Sequence, residues 1–165
     1  MKVRDGRVAP LIKLQTKERT RMIVSQILQN KGHEVWSVSP DDTVYDALSL
    51  MASINVGALL VLSEGEIAGI FSERDYARKV VLQGKSSKKT PVNDVMTTAV
   101  VCVNADQNLE TCMALMTEKH IRHLPVLTES GELTGLISIG DVVKAVISEQ
   151  EHLINHLEGY ITGRA

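Results

Sequence analysis

Two short segments place residues capable of chemistry at matched spacing: Gly69-Ile-Phe-Ser72-Glu-Arg-Asp75 and Gly135-Leu-Ile-Ser138-Ile-Gly-Asp141. In each, an aliphatic run enters Gly, then two apolar residues, Ser, two further residues and Asp, so a hydroxyl and a carboxylate stand at the start of a predicted helix. A helix amino terminus offers unpaired N–H groups and the positive end of the helix dipole. With the Ser hydroxyl it can bind a phosphate, while the Asp carboxylate can accept two hydrogen bonds from the neighbouring hydroxyls of a ribose. The same residues also serve structure. Ser72 and Ser138 are good N-caps, and an Asp in the first helical turn contributes about 0.3–1 kcal/mol. The two roles are compatible.

Other arrangements do not assemble into a site. Gly84-Lys85-Ser86 resembles the end of a phosphate-cradling loop, but Lys79 stands where its first Gly belongs, and no G-x-G-x-x-G occurs anywhere. His152 and His156 have the spacing of metal ligands on a helix, yet Leu153 takes the place of the Glu that a zinc protease needs, so they read as surface histidines. His120 and His123 flank Arg122, whose charge disfavours a divalent metal. Cys102, on a predicted strand, and Cys112, on an apolar helix face, read as buried small hydrophobes. No nucleophilic triad or catalytic carboxylate pair forms, and Ser72 with Asp75 lacks a general base. The expectation is a protein without catalysis, catalytic cofactor or metal.

Composition narrows the class further. The 165 residues are 44% hydrophobic and 23% charged, enough to fold one domain or two half-size units that share a core. Rings make up only 3% (Trp36, Tyr45, Phe71, Tyr76 and Tyr160), too few for the stacking surfaces of a single-strand nucleic-acid binder. The formal charge of -2 gives no overall attraction to nucleic acid or to an anionic membrane. Cysteines are few and make no C-x-x-C pair, no apolar run approaches the roughly 18 residues of a membrane span, and no signal-type leader is seen, so a cytoplasmic protein is expected.

The elements that must position the two motifs come from an internal repeat. Val38–Leu62 lies on Val103–Leu127, with identities that include Val38/Val103, Asp41/Asp106, Met51/Met116, Leu59/Leu124 and Val61/Val126. One extra residue in the second turn then brings Gly65–Val80 onto Gly131–Val146, matching Gly69/Gly135, Ser72/Ser138 and Asp75/Asp141. Val44, Ala47, Leu48 and Met51 recur at helical spacing, as do Leu109, Cys112, Met113 and Met116. Thr43 with Asp46 marks the first helix start, just after Pro40. Apolar runs at Ala58–Leu62 and Ile67–Phe71, and at Leu124–Leu127 and Leu133–Ile139, flank Gly-containing turns and predict two hairpins. Each copy is thus strand, helix, strand, strand, helix, in an α/β fold. A unit this small buries little apolar surface alone, so the copies should pack as a pseudo-twofold pair.

With Val-Met-Thr at 95–97, Ile-Arg-His-Leu-Pro-Val at 121–126 and Ser-Glu-Arg-Asp-Tyr-Ala-Arg-Lys-Val at 72–80, the sequence resembles a tandem pair of CBS domains, a Bateman module. That resemblance implies two clefts between the copies, each able to take AMP, ADP, ATP or NAD(H), or in some members S-adenosylmethionine, and it implies a homodimer. Carried over by position, it assigns Asp75 and Asp141 to ribose hydroxyls and Ser72 and Ser138 to phosphate. Val56 to Ala58, Ile121 to His123 and Thr98 would lie near the adenine, with Trp36 as a further candidate. Arg74, Arg122 and His123 have no counterpart of the same type in the other copy. Together they would compensate phosphate charge, making the two sites unequal.

The expected organisation is a basic arm over residues 1–21, CBS motif one over 22–82, a linker over 83–91, CBS motif two over 92–147, and a C-terminal helix and tail over 148–165. A helix is expected near Arg21–Gln29, and a longer one over Val142–Leu157 carries a surplus apolar stripe that suits a homodimer contact. The basic stretch Arg74, Arg78, Lys79, Lys85, Lys88 and Lys89 reads as a solvated face, a phosphate rim or a docking surface for an acidic partner. The functional expectation is a stand-alone adenine-nucleotide sensor read by an unknown protein partner. The alternative is an interaction module with vestigial clefts, acting through the basic arm and the last helix.

Overall fold

The apolar spacing at Val44, Ala47 and Met51 buries all three on one face of helix α2 (Val44–Ile54), which Thr43 caps by accepting the Asp46 N–H. The helix accompanies a sheet of β1 (Ser37–Val38), β2 (Ala58–Ser63) and β3 (Glu66–Ser72), β1 parallel to β2 and β2 antiparallel to β3. Glu64 and Gly65 both have positive φ, as a two-residue hairpin turn of this hand requires. Beyond β3 the chain enters α3 (Glu73–Asp75) and continues as a π-helical stretch, Tyr76–Val81. The same order follows in β4 (Val103–Asn104), α4 (Leu109–Lys119), β5 (His123–Leu127), β6 (Leu133–Ser138) and α5 (Ile139–Ile161). Even the irregularity repeats: pairing shifts register between Val61 and Leu62 and again between Val126 and Leu127.

The computed structural model describes residues 22–161. They gather into two units, 34–101 and 22–33 with 102–161. The expected first helix is therefore α1 (Val24–Lys31), shifted from its predicted place, and it belongs with the second repeat although it precedes the first in sequence. The expected basic arm and the last four residues lie outside the described residues.

This exchange closes the open edge of each sheet. In the first unit, residue 97 pairs with edge strand β3: Ile70 N–H donates to the Thr97 carbonyl at 2.9 Å, and Thr97 N–H donates to the Ile70 carbonyl at 2.8 Å. In the second, two side chains from the end of α1 and just beyond it bind edge strand β6. Lys31 Nζ donates to the Leu136 carbonyl at 3.0 Å, and His33 Nδ1 lies 2.8 Å from that of Thr134. Both motif glycines lie under these segments. A Cβ on Gly69 would stand 2.9 Å from the Thr97 carbonyl oxygen and 2.7 Å from Met96 Sδ, and one on Gly135 would stand 2.7 Å from Leu28 Cδ2.

Two expectations are corrected. The last helix, expected over Val142–Leu157, starts at Ile139 and runs unbroken to Ile161; no Gly or Pro interrupts residues 141–158. Cys102 precedes β4 by one residue and is only half-buried. The stretch 82–91 is exposed along most of its length, yet it is tied down. Thr90 is buried, and the carbonyls of Thr90 and Ser87 accept the Val44 and Tyr45 N–H groups that open α2.

Gly69→Ala should lower unfolding stability by about 1–3 kcal/mol, because the new methyl meets the Thr97 carbonyl oxygen as well as the Met96 side chain, and the backbone yields less readily than the side chain. Chemical denaturation checks this, and an unchanged midpoint would contradict the close approach of residue 97.

Candidate functional site

Each Ser-x-x-Asp motif folds back on itself at the junction of an edge strand and a helix. In the first unit Asp75 Oδ2 accepts the Ser72 N–H at 3.0 Å and the Ser72 hydroxyl at 2.8 Å, while Ser72 Oγ accepts the Asp75 N–H at 3.3 Å. The second unit repeats this at 2.7, 2.9 and 3.2 Å with Ser138 and Asp141. This reciprocal capping fixes both carboxylates. It also commits the single hydroxyl proton of each Ser to its Asp.

The two carboxylates differ in what else they hold. Asp75 is 7% exposed, and its Oδ1 accepts the Thr97 hydroxyl at 3.0 Å and Lys79 Nζ at 2.8 Å. Lys79 is itself anchored to the Val95 carbonyl at 2.9 Å. Asp75 thus accepts hydrogen bonds on both oxygens. Asp141 is more open, with its side chain 23% exposed, and its Oδ2 also receives Lys31 Nζ at 2.6 Å. Its Oδ1 accepts no hydrogen bond from the described residues. Beside it opens a cavity of about 280 Å³, lined in part by Gln26, Asn30, Lys31, Asp141, Lys144 and Ser148.

Of the other expected site residues, the structure gathers two groups. Val56 and Ala58 lead into β2, where Ala58 lies opposite Ser72 and the Gly57 carbonyl accepts the Glu73 N–H. Ile121, Arg122 and His123 take the same place in the second unit: His123 lies opposite Ser138, and the Arg122 carbonyl accepts the Ile139 N–H. Arg74 is exposed in α3. Trp36 gives its carbonyl to the Leu60 N–H, and its side chain is 43% exposed. Thr98 is exposed; the hydroxyl that reaches Asp75 belongs to its neighbour Thr97. Lys79, four residues after Asp75, was legible as a helical ion pair. Thr97 closes the Val-Met-Thr motif, but nothing in the sequence aimed its hydroxyl at Asp75, and no sequence signal pointed to Lys31. The basic stretch is no continuous rim, since Lys79 turns onto Asp75 and Lys88 lies over the Tyr45 ring, 5.1 Å from its centroid.

Burial is the main influence on both cysteine thiols and on His123. It pushes the Cys102 thiol up to about 11 and that of Cys112 up to about 12, which leaves both protonated and poorly nucleophilic near neutrality. His123 is held below its ordinary value by burial first, then by Arg122 and Lys31, against the opposing pull of Asp141. For Asp141, burial favours the neutral acid, but the hydrogen bonds from Lys31 and Ser138 prevail and lower its value. Among the described residues no cluster of three or more His, Cys, Asp or Glu could hold a metal ion, and no helix is long and apolar enough to cross a membrane.

The CBS domain pattern matches residues 24–82 and again 92–148. The chain belongs to the CBS-domain family. A tandem pair of CBS domains is a regulatory module. Among its relatives, the CBS domain-containing protein CBSX3, mitochondrial, of Arabidopsis thaliana is 43% identical over 150 residues, which span 85% of this chain and 72% of that protein. A solved CBS-domain protein from Burkholderia ambifaria MC40-6 is 54% identical with a TM-score of 0.75, over 78% of this chain and 96% of that one. A CBS domain pair solved in complex with 5′-methylthioadenosine and S-adenosyl-L-methionine shares the fold, at 19% identity and a TM-score of 0.69, over 78% of this chain and 98% of that one.

Because the fold favours neutral His123, stability should fall as pH drops below the ordinary histidine value of 6.5, where the unfolded chain binds the extra proton. Asp141 adds a second loss, of the same sign, at pH values below 3.8. Urea midpoints between pH 7.5 and 5.5 should decline in the native protein and flatten in His123→Gln.

Proposed function

We propose that this protein is a regulatory module, without catalysis of its own, that binds an adenine nucleotide at the helix starts carrying Ser72 with Asp75 and Ser138 with Asp141. AMP, ADP and ATP are the leading ligands, with NAD(H) next. The observation that carries this reading is Asp141, a fixed carboxylate with one oxygen unclaimed by the described residues, facing a cavity that also presents lysines. Adenosine-containing ligands bind a CBS pair of the same fold. Ile121, Arg122 and His123, and in the first unit Val56, Ala58 and Arg74, stand beside the two capped motifs. Thr98 and Trp36 remain adenine candidates. The unequal state of the two carboxylates favours occupation of Asp141 first, since a ligand at Asp75 must displace Thr97 or Lys79. Binding regulates only through differential affinity for two states of the protein, which a partner protein then reads.

Mass spectrometry of small molecules released from the purified protein, followed by thermal-shift titration with AMP, ATP, NADH and S-adenosylmethionine, tests the reading. A ligand selective for the folded state raises the melting temperature with its concentration. Asp141→Ala should abolish the larger part of that shift. Asp75→Ala is a poorer probe, because removing a buried acceptor costs about 1–3 kcal/mol of stability by itself. No released ligand and no shift at millimolar concentration would sink the proposal.

The homodimer belongs to the same reading. Val143, Ile147, Ile154, Leu157 and Ile161 are all exposed on α5, and their spacing of three, four or seven residues keeps them on one face suited to a helical partner. Ile147→Asp with Ile154→Asp should convert a dimer to a monomer in sedimentation at micromolar concentration; a monomeric native protein would contradict this part. A reducing compartment such as the cytoplasm suits the two free thiols.

A further inference from the structure

We infer that Lys31 selects the charge of the ligand at Asp141, admitting phosphate-bearing nucleotides and disfavouring neutral nucleosides; this rests on the reading of Asp141 as a ribose-binding carboxylate. A ribose holds a carboxylate with two hydroxyls, and the geometry of Asp141 offers them unequal places. Oδ1 is open, whereas Oδ2 already accepts the Ser138 N–H, the Ser138 hydroxyl and Lys31 Nζ. A carboxylate oxygen has two lone pairs to share, so one of these donors must give way. The two Ser138 donors belong to the cap that fixes the carboxylate. Lys31 is the donor that can leave, because its side chain is 39% exposed and its other bond is to the Leu136 carbonyl alone.

What Lys31 meets on leaving decides which ligand wins. A neutral nucleoside takes its acceptor and leaves the ammonium without a counter-charge. A nucleoside phosphate takes the same acceptor and supplies a new anion within the same cavity, where Lys144 adds a second cation. The ion pair with Asp141 is thereby exchanged for one with the ligand. The first unit has no equivalent device. Lys79 is tied to the carbonyls of Val95 and Met96 and to the Thr97 hydroxyl as well as to Asp75, so it cannot be released by one competing bond.

Calorimetric titration of the full chain with AMP and with adenosine tests the inference. Lys31→Met should weaken AMP binding about tenfold and leave adenosine binding equal or tighter, because Asp141 Oδ2 is then unclaimed by a cation. Lys31→Arg should keep the preference for AMP. Should Lys31→Met fail to fold, Lys31→Gln, which retains a donor for the Leu136 carbonyl, provides the same comparison. Equal losses for both ligands, or an unchanged AMP affinity, would overturn the role of Lys31 while AMP binding that is lost in Asp141→Asn still upheld the site. Absence of AMP binding to the native protein, or binding that survives Asp141→Asn, would overturn both.

Discussion

The close approach of a distant chain segment to an edge strand, over a glycine, is the constraint on which both units depend. β3 and β6 would otherwise end their sheets with unpaired carbonyls and N–H groups, a liability in water and a template for association. The backbone of residue 97 answers this at β3, and the side chains of Lys31 and His33 answer it at β6. Gly69 leaves room for the residue-97 backbone at β3, and Gly135 leaves room at β6 for Leu28 of the same α1 segment that carries Lys31. The same crossing segments bring Thr97 to Asp75 and Lys31 to Asp141, so sheet closure and the electrostatics of the candidate site have one structural origin.

That shared origin explains how a repeated motif acquires two different states. The cap formed by Ser and Asp is identical in the two units, because it depends only on residues three apart. The second partner of each carboxylate comes from outside the motif and differs: a hydroxyl and an inward lysine at Asp75, a single half-exposed lysine at Asp141. One carboxylate is consequently part of the core and the other part of a cavity wall. One motif is thereby committed to holding its unit together, while the other stays open to solvent.

Much of this organisation is legible in the amino-acid sequence, because it is local. The hairpin turn at Glu64 and Gly65, the helical face of Val44, Ala47 and Met51, and the Ser-x-x-Asp caps are set within a few residues, and the repeat shows each of them twice. What the sequence hides is non-local. Thr98 was the expected neighbour of the site, and Thr97 is the residue that reaches Asp75, because strand pairing with Ile70 sets which side chain faces the carboxylate. Lys31 is one lysine among many until α1 is placed beside β6. The affiliation of α1 with the second repeat follows from packing such as Leu28 against Gly135, a contact separated by more than a hundred positions in the chain.

The exchanged position of α1 has a consequence for the order in which the molecule is made. Residues 34–101 are contiguous, so their sheet can close while the ribosome is still adding the second repeat. α1 leaves the ribosome earlier than any of them, yet its partners Leu136 and Asp141 lie 105 and 110 positions after Lys31. Eight residues are too few to hold a helix in water unaided. This segment must therefore wait with Val24, Ile27 and Leu28 uncovered until the second repeat has emerged, and its docking is the step that completes that unit.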